Sequence, residues 1–214
     1  PFTGFFIYKI LNKIHLSPFY HKCTIFLSAY ISINLAAFFT ALELGIQPLL
    51  FVDNLAQPLY CPYPLWISIP AMALSHLTIA GIAEGLFTLS LYLFILKTSP
   101  NIIYDSQQIK LNSIFSLLAF LIIISPIGLI AEGTAWGEWA PEEILNDTSS
   151  GVSLGFIPEK LLNGFNYEAF FPDYTMSGTT DILAYIASAI IGVALLIIIF
   201  KILGSIIYAK KQSL

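Results

Sequence analysis

The sequence predicts an all-α, polytopic helical membrane protein with four complete transmembrane helices plus an incomplete N-terminal one. Composition is the first observation: 57% of the 214 residues are hydrophobic and only 10% are charged, against roughly a quarter charged in ordinary soluble domains. The mean hydropathy is +0.81. The second is the recurrence of apolar runs near the roughly 20 residues that a bilayer crossing needs. The third is the segregation of lysines and carboxylates into alternate connections between those runs.

The chain opens PFTGFFIYKIL, an apolar run of about ten residues, too short to span a bilayer alone. We read it as the tail of a helix that begins before Pro1. A signal peptide carries its positive flank ahead of the apolar run, whereas Lys9 and Lys13 come after it. Complete spans are expected at about residues 24–44, 72–96, 113–130 and 182–208. The second follows CPYPLWISIP, in which Pro62, Pro64 and Pro70 oppose a helix. One helix over 64–96 would be about 50 Å long against a hydrocarbon core of roughly 30 Å, so a break or re-entrant approach is expected near Pro70.

Lysine placement sets the topology, because short cytoplasmic loops collect positive charge. Lys9, Lys13 and Lys22 lie in the first connection, Lys97 and Lys110 in the third, and Lys201, Lys210 and Lys211 at the C-terminal end. All fall on one side if the spans alternate, which places the C-terminus in the cytoplasm. The loop around Asp53 and the acidic connection over about 131–181 then lie outside, the latter with Lys160 as its one lysine. Cys23 and Cys61 are on opposite sides of the membrane, so no disulfide joins them. His15 and His21 belong to the lysine-bearing side, where a solvated or coupling surface outweighs a ligand role. The sequon Asn146-Asp147-Thr148 is too common a tripeptide to argue from.

Within the second span, SHLTIAGIAEG carries His76 and Glu84 at bilayer depth, with Gly81 and Gly85 forming a GxxxG beside them. An ionisable group there is costly and must face protein or water. Two readings stand: an ion path or metal site, since imidazole and carboxylate both bind divalent transition metals, or an interhelical hydrogen bond at a close glycine crossing. Asn34 and Glu43 on the preceding span are the partners to consider; Asn34 suits a cross-helix hydrogen bond, and Glu43 lies near the outer end. In GTAWGEWAPEEI, Trp136 and Trp139 suit an interfacial aromatic belt. Pro141-Glu142-Glu143 suits the start of a short helix.

Every one of the nine basic residues is lysine, so bidentate guanidinium recognition of phosphate has no agent and no nucleic-acid role is signalled. The sequence contains no H-E-x-x-H, G-x-S-x-G or GxxxxGK[ST], so no zinc protease, serine hydrolase or ATPase is signalled.

The pattern H-x-x-I-x-G-x-x-E-G-x-x-T, carried by His76, Ile79, Gly81, Glu84, Gly85 and Thr88, resembles the CbiM/NikM family. These are membrane substrate-capture components of energy-coupling-factor (ECF) transporters for cobalt and nickel. PFTGFFIYKILNK and LAAFFTALELG, Glu43 included, look like the stretches before that helix. SPIGLIAEGTAWGEWAPEEI, GFIPEKL and FFPDYTMSG look like the CbiN/NikN-like, PDGLE-type extension of fused members. The resemblance divides the chain into a C-terminal half of a permease core, 1–112, and an extension with two spans, 113–214.

It implies a non-enzymatic subunit of an ATP-driven cobalt or nickel uptake transporter in the plasma membrane, capturing the divalent ion from outside. The implied partners are an ECF transmembrane coupling (T) component and cytoplasmic ABC-type ATPase chains; no cofactor is implied beyond the transported cobalt or nickel ion. The family's Met-His capture segment is not in this sequence. No metal ligand is therefore assigned here, and His76, Glu84, Asn34 and Glu43 are candidates for supporting a site or for helix packing, with Gly81 and Gly85 at the close crossing. The alternative is a non-metal-binding accessory or assembly subunit of such a transporter.

Overall fold

The computed structural model describes residues 2–13, 17–98, 100, 111–130, 134–164 and 169–212. His15 and Lys110 lie outside the described residues. Four helices are long and apolar enough to cross a membrane, and a shorter apolar helix precedes them. The protein is a polytopic helical membrane protein. Two compact units divide it, one of Pro1–Gln107 with Thr134–Asn166 and one of Gln108–Gly133 with Tyr167–Leu214.

In the first unit, α1 spans Phe2–Leu11 and α2 spans Pro18–Leu50. Ser17 caps α2 by accepting from the Tyr20 amide at 3.2 Å, and Pro18 enters the first turn, where its missing N–H has no intrahelical partner to lose. The helix α3 runs Leu65–Thr98. It starts directly after Pro64, whose extended backbone (φ −73°, ψ 170°) forms its N-cap.

The break expected near Pro70 is absent: Pro70 sits inside continuous helix. The irregularity lies further on, as a single π turn at His76–Ala80, where the Gly81 amide reaches back to the His76 carbonyl. The length argument fails because the N-terminal end of α3 packs against protein. Ile67 and Tyr63, just ahead of the helix, are buried at 7% and 1% exposure in a cluster with Cys61, Leu44, Trp136 and Trp139. Trp136 and Trp139 of the connection over 134–164 pack against the first turns of α3, so nothing forces the helix to stop at the hydrocarbon boundary.

The helices α2 and α3 run antiparallel along a seam of small residues. Ala37, Ala41 and Gly45 of α2, and Ser68, Gly81 and Gly85 of α3, are all buried. A Cβ on Gly45 would come 2.8 Å from the Leu65 Cα, and one on Gly85 would come 2.6 Å from the Phe26 ring. One on Gly81 would sit 2.6 Å from Asn34 Nδ2 and 2.9 Å from the Tyr30 ring. Ser68 Oγ adds a hydrogen bond across the seam to the Ala41 carbonyl at 2.9 Å. Small residues are what let two membrane helices approach so closely.

The rest of the first unit is the connection beginning at Thr134, with two short helices, α5 at Pro141–Asn146 and α6 at Glu159–Asn163. In the second unit α4 covers Leu111–Ile124 and tightens into a 3₁₀ stretch, Ser125–Ile130, while α7 covers Asp181–Gln212. Tyr174 and Tyr185 stack edge-on at 5.2 Å beside the buried Ala184.

Gly85→Leu places a branched side chain where the Phe26 ring stands. We expect destabilisation of about 1–3 kcal/mol, the usual cost of overpacking a filled interface, read as a lower midpoint of thermal unfolding in detergent. Gly192→Leu, at a glycine with open space around it, is expected to leave the midpoint within error.

Candidate functional site

The midpoint of α3 gathers most of the residues singled out from the sequence. The π turn inserts one extra residue and leaves the local backbone ladder irregular, and such turns recur at functional positions in helices. Tyr30 of α2 donates its hydroxyl to the Leu77 carbonyl at 2.8 Å, satisfying that carbonyl from the neighbouring helix. Asn34 lies against Gly81 and donates from Nδ2 to the Tyr30 carbonyl at 2.8 Å, holding the same turn of α2.

His76 Nδ1 is 2.9 Å from the Met72 carbonyl. A carbonyl only accepts, so Nδ1 donates to it, and in the neutral tautomer that this contact selects Nε2 is the acceptor or ligand atom. Glu84 is exposed on the groove side, and Thr88 Oγ1 donates to it at 3.4 Å. Glu43 is exposed on α2. Thus Asn34 and Gly81 are brought together, while His76, Glu84 and Glu43 share no hydrogen bond. Among the described residues no group of three His, Cys, Asp or Glu side chains could hold a metal ion.

Glu84 lines a groove of about 810 Å³ whose floor is α2 (Ser28, Ala29, Ser32, Ala36) and whose walls are α1 and α3. One end of it is tied by His21. That residue stands in the first turns of α2, with Nδ1 2.9 Å from Asn12 Oδ1 and Nε2 3.1 Å from the Tyr92 hydroxyl. Its ring packs edge-on against Tyr8 at 5.8 Å and Tyr92 at 5.7 Å. The solvated role expected for His21 is therefore corrected: it joins three helices. Its distance in sequence from Tyr92 hid this.

A second constellation sits where the C-terminal end of α2 meets the N-terminal end of α3. Tyr63, 1% exposed, packs against Trp139 at 5.5 Å and Trp136 at 6.0 Å, and the two indoles meet edge-on at 5.0 Å. Asp147 ties the group together. Its Oδ1 accepts from the Tyr63 hydroxyl and from the Ser149 amide at 2.9 Å, and its Oδ2 from Trp139 Nε1 at 3.2 Å. Trp136 Nε1 donates to Ser149 Oγ at 2.8 Å.

Gly137, at φ +99°, lies beneath Leu44, where a Cβ would come within 2.8 Å of Leu44 Cδ1. Its left-handed backbone and the close approach both require glycine. The short helix expected from Pro141 is present; Glu143 Oε2 accepts from the Ala140 amide at 2.9 Å and from Thr134 Oγ1 at 2.8 Å. The belt reading of Trp136 and Trp139 is corrected, because both indoles fold onto Tyr63 with their N–H groups paired. Trp66, in the first turn of α3, is 70% exposed.

Electrostatics follow from this packing. Burial pushes the Asp147 carboxyl up, but hydrogen bonds from Tyr63, Ser149 and Trp139 outweigh it and hold the group below its ordinary value. Burial, then the hydrogen bond to Asp147, raises the Tyr63 phenol well above its own. Burial likewise raises the Cys61 thiol, so it stays a neutral, weak donor. Both cysteines are free.

Residues 1–102 match the cobalt uptake substrate-specific transmembrane region, CbiM, and residues 111–209 match the PDGLE domain. The chain joins a CbiM region to a PDGLE domain, in that order. It is similar to a probable fused nickel transport protein, LarMN, of Lactiplantibacillus plantarum, and to a fused nickel transport protein, NikMN, of Rhodobacter capsulatus. The first is 36% identical over 94% of this chain and 60% of its own length; the second is 37% identical over 80% and 54%. This CbiM–PDGLE chain thus spans between half and two thirds of the relatives that it matches. It is also similar to a chain in the crystal structure of a transition metal transporter, 40% identical over 49% of this chain and 45% of that one, with a TM-score of 0.44. The groove lies in the CbiM region, and the Tyr63–Asp147 contact joins that region to the PDGLE domain.

The Asp147 and Tyr63 shifts bound the pH range in which this contact holds. Asp147 titrates lower folded than unfolded, so its contribution is complete above the ordinary carboxylate range and is lost as pH falls through the lower folded value. Tyr63 titrates higher folded, so its contribution is complete below about pH 10 and is lost as pH rises through the folded value. In a Trp66→Phe background, the fluorescence of Trp136 and Trp139 is expected to stay constant from about pH 5 to 9 and to change on both sides. Asp147→Ala strands the Tyr63 hydroxyl and the Trp139 N–H, so the contact should weaken by about 1–3 kcal/mol. The check is faster protease cleavage within 134–166.

Proposed function

We propose that this chain is a membrane subunit of an ATP-driven uptake transporter for cobalt or nickel, which captures the divalent ion from outside. The observation that carries the reading is the succession of a CbiM region and a PDGLE domain in one chain, in relatives named as fused nickel transport proteins. The lysines on one side and the acidic connection on the other support a plasma-membrane subunit with a cytoplasmic C-terminus. An acidic outer surface raises the local concentration of cations.

No nucleotide-binding loop is present in these residues, so the reading assigns ATP hydrolysis to separate cytoplasmic ABC-type chains, coupled through an ECF transmembrane T component. Residues 1–112 act as the C-terminal part of the permease core and 113–214 as its CbiN/NikN-like extension. His76, Asn34 and Glu84 shape the helix crossing beside the transport path, with Gly81 and Gly85 at its closest point; Glu43 stands near its outer end. The ion is the substrate, and no cofactor is needed.

A second reading, an accessory subunit that binds no metal and stabilises a partner permease, is favoured by one observation. No three metal-ligating side chains cluster among the described residues.

Uptake of radioactive nickel and cobalt separates the readings when it is measured in cells lacking other importers. Deleting the gene should abolish uptake of at least one of the two ions, and the complete protein should co-purify with ATPase chains. Uptake that persists after deletion would refute the transporter reading. Equilibrium dialysis of the purified complete protein against nickel then divides capture from assembly: binding favours the first reading, and no binding beside intact complex assembly favours the second.

A further inference from the structure

The second unit holds a groove of its own. The helix α7 meets the 3₁₀ stretch Ser125–Ile130 near its start, where a Cβ on Gly128 would lie 3.9 Å from the Tyr185 hydroxyl. Further along, α7 turns one stripe, Val193, Leu196, Ile197, Phe200 and Lys201, toward a cavity of about 500 Å³ that Leu118 of α4 also lines. These α7 residues recur at i, i+3, i+4, i+7 and i+8, so they share one face of the helix over about 12 Å of its axis. Leu196 and Phe200 are 56% and 68% exposed.

Depth decides what Lys201 can meet. The helix α7 begins at Asp181, and Ile182 to Phe200 carries no charged residue. It is continuous from Asp181 to Lys201, a rise of about 30 Å, which matches the thickness of the hydrocarbon core. With Asp181 at one boundary, Lys201 stands at the other, level with the lipid headgroups. Lys201 is exposed there, and no carboxylate lines the groove beside it.

Shape decides between a lipid and another helix. Close helix docking in a membrane uses small residues, as in the alanine, serine and glycine seam between α2 and α3. This groove is lined instead by bulky leucine, isoleucine, valine and phenylalanine side chains, which suit a flexible acyl chain. A second copy docked on the same face would set one Lys201 ammonium against another.

We propose that the groove binds one anionic phospholipid, with an acyl chain along Leu118, Leu196 and Phe200 and the headgroup phosphate on the Lys201 ammonium. A basic group at the mouth of a cleft between membrane helices selects anionic headgroups by charge.

The test reconstitutes the complete protein in phosphatidylcholine vesicles that carry, in both leaflets, a trace of phosphatidylglycerol with a diazirine on its acyl chain. After illumination, peptide mass spectrometry should find the label on α4 around Leu118 and on α7 between Val193 and Lys201. The matching phosphatidylcholine probe should label these positions about fivefold less, the preference that one lysine near the surface supports. Lys201→Gln should reduce phosphatidylglycerol labelling to the phosphatidylcholine level, and Lys201→Arg should keep most of it. Lys97→Gln, which removes an exposed lysine in the last turn of α3, should leave it unchanged within error. If Lys201→Gln fails to fold, excess plain phosphatidylglycerol should displace the label from the unaltered protein, while added phosphatidylcholine or inorganic phosphate should not. Equal labelling by the two probes, displacement by inorganic phosphate, or equal sensitivity to Lys97→Gln and Lys201→Gln overturns the proposal. So does the absence of label at these positions because another polypeptide covers them.

Discussion

The close crossing of α2 and α3 is the constraint on which the first unit depends. At Gly45, Gly81 and Gly85 the opposing helix occupies the space a Cβ would need. Gly45 is opposed by backbone, which cannot move aside as a side chain can. The seam fixes the register of α3 against α2, and so determines that Tyr30 and Asn34 meet the π turn, Phe26 meets Gly85 and His21 reaches Tyr92. Within lipid, little hydrophobic force distinguishes one helix contact from another, and close packing with a few shared hydrogen bonds supplies the specificity.

The same register explains why the irregular turn can persist. A π turn in an isolated apolar helix would leave a backbone carbonyl without a partner in a solvent that offers none. Here the Tyr30 hydroxyl satisfies the Leu77 carbonyl, and Asn34 is held against Gly81 one turn along. At its end near Leu44 and Ile67 the crossing delivers Leu44, Cys61, Tyr63 and Ile67 as one apolar surface, and Trp136 and Trp139 of the connection over 134–164 pack onto it. Asp147 converts that contact from simple burial into a directional one, because its two oxygens accept from a phenol, an indole and an amide. The PDGLE domain therefore reaches the CbiM region through specific hydrogen bonds.

Much of this was legible in the amino-acid sequence. Four spans, the short helix after Ala140 and the glycines at the midpoint of α3 all follow from apolar run length, proline placement and residue size, which are local properties. The residues read incorrectly share one feature. His21, Trp136 and Trp139 are polar-tipped aromatics whose neighbours lie far along the chain: His21 meets Tyr92, and the indoles meet Tyr63. Local composition marked them as boundary residues, and the same chemistry serves equally well inside a folded contact. Pro70 was misjudged because a helix length was compared with a bilayer alone, without the connection whose tryptophans pack against the first turns.

By itself the sequence determined the class, the number of spans, the side on which charge collects and the resemblance to a fused metal transporter, since each depends on composition or on residues adjacent along the chain. Only the tertiary structure decided which carbonyl Tyr30 satisfies, which surface the tryptophans cover and that Glu84 opens into a groove between α1 and α3. These are relations between segments tens of residues apart, set by the register of the α2–α3 crossing. Small-residue packing fixes that register through shape, and shape between distant segments leaves no period in a single sequence.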